Sequence, residues 1–365
     1  MRSFLAASVI GLCLGPLACS HHQSSQAESA EAQKPSEGSW ESFDTSSTAS
    51  LRGLSAVDRE TAWASGTGGT VLRTEDGGQT WKSLLVLGGE DLDFRDVQAL
   101  GNGVAVLMTA GQPARLYRTE DGGQSFSLVH ESSYPGAFFD AMAFWDDQRG
   151  LVMSDPVEGN FLLLETRDGG RSWQRLPIAS LPVPREGEAG FAASGSNLAV
   201  GPKGRAWLGT GGGAARVLYS EDFGASWKVS EAPLAHGEAS QGVFSVAFRD
   251  SLHGIAAGGD YLQPELAERS LAITRDGGTT WTPASTLPPS GHRAAVVFLD
   301  YRPDPTWVSC GRAGCDISED DGTRWKRLSE EGFYTLSAAP DGSLWAAGSE
   351  GRVARWKADH RPTGD

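Results

Sequence analysis

The sequence predicts an all-β fold, a propeller of seven four-stranded blades closed by an N-terminal strand. Three observations predict it. An eight-residue segment ending in an aromatic residue recurs six times in 365 residues. Those aromatic ends lie 45, 47, 54, 54 and 44 residues apart, the length of one blade. Glycine reaches 47 residues, about twice ordinary usage, as a chain full of tight turns requires. Hydrophobic residues at 39% and charged residues at 21% are ordinary for a folded chain and exclude a wholly disordered one. The formal charge of -15, from 31 Lys and Arg against 46 Asp and Glu, would repel a phosphate backbone, so nucleic-acid binding is disfavoured.

The chain begins with one positive charge in Met1 to Ser3 and an apolar run from Phe4 to Ala18. That run is shorter than the ~20 residues of a membrane span and reads as a secretory signal, residues 1–18. Pro16, Leu17, Ala18, Cys19 and Ser20 resemble a bacterial lipoprotein box with its Leu displaced by one place. Lipidation of Cys19 is expected, with ordinary signal cleavage as the alternative. Residues 19–38 lack large apolar side chains and read as a disordered tether, so membrane contact is expected only through the anchor. The propeller is assigned to residues 39–358 and a tail to 359–365. Of the four cysteines, Cys310 and Cys315 in CGRAGC remain as an even pair in an oxidising compartment. A disulfide is expected, two free thiols being the alternative.

The repeated segments are TEDGGQTW at Thr74, TEDGGQSF at Thr119, TRDGGRSW at Thr166, SEDFGASW at Ser220, TRDGGTTW at Thr274 and SEDDGTRW at Ser318. Each reads as a turn in which Gly takes positive φ, the Asp bonds backbone N–H groups two residues on, and flanking Thr or Ser tie the arms. Asp76, Asp121, Asp168, Asp222, Asp276 and Asp320 are therefore structural, since one Asp per blade is turn chemistry rather than a catalytic pair. The terminal aromatic packs between blades. A seventh unit, from Gly332 to Trp356, lacks a fourth strand, and Trp40 to Phe43 is positioned to supply it.

These segments match the SxDxGxTW pattern of Asp-box, or BNR, repeats, with Phe126 and Arg324 as the main departures. Over nearly the whole mature chain the sequence resembles the photosystem II assembly and stability factors, which implies a non-enzymatic binding propeller. MSDPVEGNF at Met153, GEAGFAASG at Gly187, VFSVAFRD at Val243 and GGDY at Gly258 are further similar to exported bacterial propellers often labelled oxidoreductase or glycosyl hydrolase. No dinucleotide fingerprint supports the first label, because GTGGG at 209–213 lies between strands and reads as a hairpin. No cofactor, metal site or Ser or Cys hydrolase motif is expected.

With the Asp boxes on one face, function is expected on the other. Entering the inner strands are Arg52, Arg95, Asp140, Arg293 and Tyr334; middle hairpins carry Asp155, Asp260 and Tyr261, and Glu188 precedes the fourth blade. Arginines from blades 1, 2 and 6 facing carboxylates from blades 3, 4 and 5 predict a bipolar rim. The arginines either clamp a carboxylate, an acidic peptide or a glycan, or pair with neighbouring carboxylates as braces. The reading is a monomeric, non-catalytic propeller binding a protein in the cell envelope. The alternative is a sialidase-like or xyloglucanase-like glycoside hydrolase, the latter using Asp155 and Asp260 as opposed carboxylates.

Overall fold

A computed structural model describes residues 38–101, 103–284 and 289–358. The signal, Cys19, the tether up to residue 37 and the tail lie outside the described residues. Seven antiparallel sheets form the blades, each built on a four-stranded meander; the blade-5 sheet gains two short strands, Glu188–Ala189 and Gly211–Gly212, and the six copies of the Asp box join the third and fourth meander strands of blades 1 to 6. Inner strands contact in sequence and the first, Leu51–Ala56, meets the last, Thr335–Ala338, so the ring closes. In blade 7 the outer strand is Gly38–Phe43, paired antiparallel with Val353–Ala358. This closure covers the outer edge of Val353–Ala358 and completes the seventh blade from both ends of the described chain.

The Asp boxes repeat one hydrogen-bond pattern. In the first, Thr74 Oγ1 donates to Asp76 Oδ1 over 2.9 Å, and the N–H and hydroxyl of Thr80 donate to the two oxygens of Asp76 over 2.8 and 2.6 Å. The Asp reaches four residues on, not the two expected, because the hydroxyl at the start of the box already takes the Gly78 N–H. In the sixth box Arg324 replaces the hydroxyl residue and donates from its own N–H and Nε to Asp320, which keeps the turn. The residues standing where other boxes have glycine, Phe223 and Asp321, take φ near +60°. Bonds from Ser125 hold the Asp121 carboxyl down to about 2.

The box aromatics fill the joints between blades. Trp173 packs with Val106, Leu116 and Val152 between blades 2 and 3, and Trp227, Trp281 and Trp325 repeat this at the next three joints. Burying a tryptophan of about 200 Å² contributes a few kcal/mol per joint, so the ring is held by a series of similar seams.

Side chains of the inner strands add a second set of ties. Ser55 accepts the Ala99 N–H, Asp96 that of Met142, Ser245 that of Val296 and Ser337 that of Ala56, each over 2.8 to 3.1 Å.

Candidate functional site

The inner strands of blades 1, 2, 3 and 5 each carry a bulge close to their start. The register skips one residue between Leu51 and Gly53, Phe94 and Asp96, Phe139 and Ala141, and Val243 and Ser245. The skipped residues are Arg52, Arg95, Asp140 and Phe244. A bulge re-aims the side chain it releases, and three of these four line one pocket at the mouth opposite the Asp boxes.

A plug crosses the middle of the ring. Beyond the short strand Glu188–Ala189, residues 190–196 leave the sheet and bond to six other blades. The Gly190 N–H donates to Asp155 Oδ1 over 2.8 Å, Ala192 O accepts from Arg95 and Ala193 O from Arg52, and Ser194 O accepts the Thr335 hydroxyl. Ser194 Oγ donates to Ala294 O, while Ser196 O takes the Val246 N–H. A Cβ at Gly190 would stand 2.5 Å from Asp140 Oδ2, and one at Gly195 would stand 2.7 Å from the Asp96 Cγ, so both crossings need glycine. The plug divides the channel into an upper cavity of about 320 Å³ and a lower one of about 550 Å³ on the Asp-box side, whose lining mixes apolar residues with Asp96, Gln98, Arg249 and Asp300.

The upper cavity has three sectors. The basic one holds Arg52, Arg95 and Arg312. Arg52 lies with its guanidinium carbon 4.4 Å from the Tyr334 ring centroid and has, among the described residues, no carboxylate partner. Burial, with Arg95 and Arg312 nearby, holds its pKa below the usual guanidinium value. Arg95 is paired with Asp93 over 2.7 Å. Arg312 is exposed at the tip of a hairpin whose base is the Cys310–Cys315 disulfide, with Gly311 opposite Gly314.

The acidic sector is Asp155 with Asp140 behind it. Asp140 is 1% exposed and neither of its oxygens has a donor among the described residues. Burial, then the adjacent Asp155, pushes its pKa well up, which favours the neutral acid at Asp140. Burial raises Asp155 as well. The aromatic sector is Phe191 of the plug, stacked on Phe244 at 3.8 Å, with Tyr261 and His292 edge-on to Phe244. His292 is 3% exposed, both ring nitrogens lack a partner among the described residues, and burial drives its pKa down to about 3, so the ring is neutral.

The family model described as Photosynthesis system II assembly factor YCF48 matches residues 32–144. Ycf48 of Thermosynechococcus vestitus is 27% identical over 66% of this chain and 74% of its own. The photosystem II assembly lipoprotein Ycf48 of a Picosynechococcus species is 24% identical over 97% of this chain and 94% of its own. A solved structure of YCF48 bound to D1 peptide superposes with a TM-score of 0.63 at 21% identity, covering 89% of this chain and 97% of that one. The chain is an Asp-box propeller similar to the Ycf48 assembly factors. A sialidase of Micromonospora viridifaciens is 26% identical over 74% of this chain but only 43% of the enzyme.

On this Ycf48-like ring the structure brings together Arg52, Arg95, Asp140, Asp155, Tyr261 and Tyr334, and removes three expected rim residues. Arg293 is fully buried, donating to Asp316 and to the carbonyls of Ser290, Gly291, His292 and Gly314, so it braces blade 6. Its neighbours His292 and Ala294 face the cavity instead. Glu188 is buried against Arg216 and accepts from Thr210 and the Arg185 N–H. Asp260 is spent on Gln241, Gln263 and the Leu262 N–H. The expected opposition of Asp155 and Asp260 is therefore absent, since Asp155 faces Asp140 and Asp260 does not line the cavity. The residues that sequence reasoning missed are Arg312, His292 and the plug aromatic Phe191. Arg312 was visible as the only charge in CGRAGC, at a hairpin tip on the face opposite the Asp boxes.

Proposed function

We propose that the chain is an exported, lipid-anchored, non-catalytic binding propeller that takes a segment of a cell-envelope protein into the upper cavity. An anionic group of that segment is held by Arg52 and Arg312, with Arg95 at their side. One observation carries the reading: Arg52 is half-buried against Tyr334 beside two further guanidinium groups, yet has no carboxylate partner among the described residues. An uncompensated cation in a partly desolvated cup is costly until an anion arrives, and its planar fork suits a carboxylate. The exposed Tyr261, Leu262 and Leu266 on the neighbouring blade-5 hairpin add apolar area for a polypeptide. The structurally similar YCF48, solved bound to D1 peptide, supports the same use of the ring.

The anchor rests on Cys19 and on a relative named as a lipoprotein. Cys19→Ser should move the protein from the membrane to the soluble fraction; equal partitioning of variant and parent would remove the anchor from the reading. For the binding face, partners crosslinked in the native envelope are compared between the parent and Arg52→Glu with Arg312→Glu. Loss of the same crosslinked species from a variant of unchanged melting temperature supports the clamp, and their retention refutes it.

A further inference from the structure

We propose that the acidic side of the upper cavity is a cation subsite, so that the bound segment is dipolar, its ammonium or guanidinium group meeting Asp155 while its carboxylate meets Arg52 and Arg312. The inference rests on the binding reading above and specifies the chemistry of what is bound.

Asp155 lines the cavity and spends one oxygen on the Gly190 N–H; its other oxygen has no protein donor among the described residues apart from a proton shared with Asp140. Asp140, buried directly behind, lacks any donor for either oxygen and forms no ion pair among the described residues. Two adjacent carboxyl groups cannot both ionise without a cation to compensate them; Arg95 acts on Asp140 from a distance but is paired with Asp93, and no arginine among the described residues forms an ion pair with either. With a proton on Asp140 the pair carries one negative charge, and a ligand cation placed at Asp155 would neutralise it with that proton kept. Asp140 is then a positioning residue that holds Asp155.

The walls around Asp155 suit a cation. Phe138 O accepts the Asp155 N–H, Phe191 follows the glycine bonded to its carboxylate, and both rings line the cavity. Aromatic faces beside a carboxylate attract ammonium and guanidinium groups. An independent observation points to a ligand in the same space: His292, buried and neutral, carries two ring nitrogens with no partner among the described residues, one a donor and one an acceptor. At about 320 Å³ the cavity has the size of a small-ligand site, room for a side chain or a chain end.

The test uses three probes on the full folded chain by calorimetry: 6-aminohexanoate, hexanoate and hexylammonium. The zwitterion is expected to bind about tenfold more tightly than either singly charged probe. Asp155→Asn, which keeps the acceptor for Gly190, should bring the zwitterion down to the level of hexanoate and leave hexanoate unchanged; Arg52→Gln should bring it down to the level of hexylammonium. Hexanoate binding as tightly as the zwitterion, or no response to Asp155→Asn, overturns the cation subsite while leaving the arginine clamp standing. Hexylammonium binding without hexanoate supports the subsite and removes the clamp. If none of the three binds, both are overturned.

Discussion

Arg293 donates from Nη1 to Asp316 Oδ2 over 2.7 Å, with both side chains buried inside blade 6. Burial lowers the Arg293 pKa to about 10, although Asp316 pulls the other way. The pair is a brace. Removing one member of a buried pair strands the other, at a cost of ~3 to 5 kcal/mol. Arg293→Ala is therefore expected to lower the denaturant midpoint strongly, and protein that still folds should bind hexanoate normally. A variant of parental stability would show that the pair contributes nothing to folding.

Arg52 gives the opposite signature. Its acceptor is a plug carbonyl and its neighbour is an aromatic face, so no carboxylate is stranded when it is changed. Arg52→Gln should shift stability by less than about 1 kcal/mol while hexanoate affinity falls at least severalfold. Thermal melts and calorimetry on the same sample check this, and an unfolded variant would class Arg52 with Arg293.

The contrast explains what could be read from sequence. The Asp boxes, the blade length and the closing strand were legible because each is local or repeated: the bonds of Asp76 run only from Thr74 to Thr80, and Gly38–Phe43 replaces a strand visibly missing from the seventh unit. Which residue of an inner strand faces the mouth was not legible. Side-chain direction alternates with period two, and the bulges at Arg52, Arg95, Asp140 and Phe244 reset that alternation. In blade 6 the Ala294 N–H donates to Cys310 O while Ala295 is the register partner of Cys310, so Ala294 occupies the place assigned to Arg293. The plug was beyond reach for another reason. Its partners lie on six other blades, and nothing local in GEAGFAASG says that it will leave the sheet.

Asp168 tests the boxes. It accepts from the N–H and hydroxyl of Ser172 and from the Thr166 hydroxyl. Asp168→Ala should cost ~1 to 3 kcal/mol in chemical denaturation with probe binding unchanged. Lost binding in a variant of full stability would make the box part of the site.

The disulfide links stability to binding at Arg312. Cys310 and Cys315 are separated by 5 residues, and closing so short a loop contributes about 2 kcal/mol at most. Reduction should therefore lower stability modestly without opening the ring, and should weaken hexanoate binding because the hairpin presenting Arg312 loses its brace. Alkylation with and without reductant verifies the bond. Unchanged hexanoate affinity in reduced, alkylated protein would show that Arg312 needs no bracing.

Asp96 makes stability depend on pH. It occupies the place where Ser245 ties blade 5 to blade 6, but it is a carboxyl, buried, accepting the Met142 N–H and a bond from Gln98. Burial pushes its pKa up to about 7, against an unfolded value of ~3.9, and the Met142 bond only partly opposes this. The folded state thus holds the proton more tightly than the unfolded chain. The stability this confers is fully present below about pH 4 and is lost as pH rises through 7. A gap of about three pH units at ~1.4 kcal/mol each sets the scale at ~4 kcal/mol across that window. Asp96→Asn keeps a carbonyl for Met142 and removes the charge, so the variant should be more stable than the parent at pH 8 and should lose this part of the decline. Asp140, raised in the same direction, leaves a residual slope in both proteins. The measurement is the difference in unfolding free energy between variant and parent from pH 4 to 8, and a difference that stays constant over that range would show that Asp96 is ionised throughout.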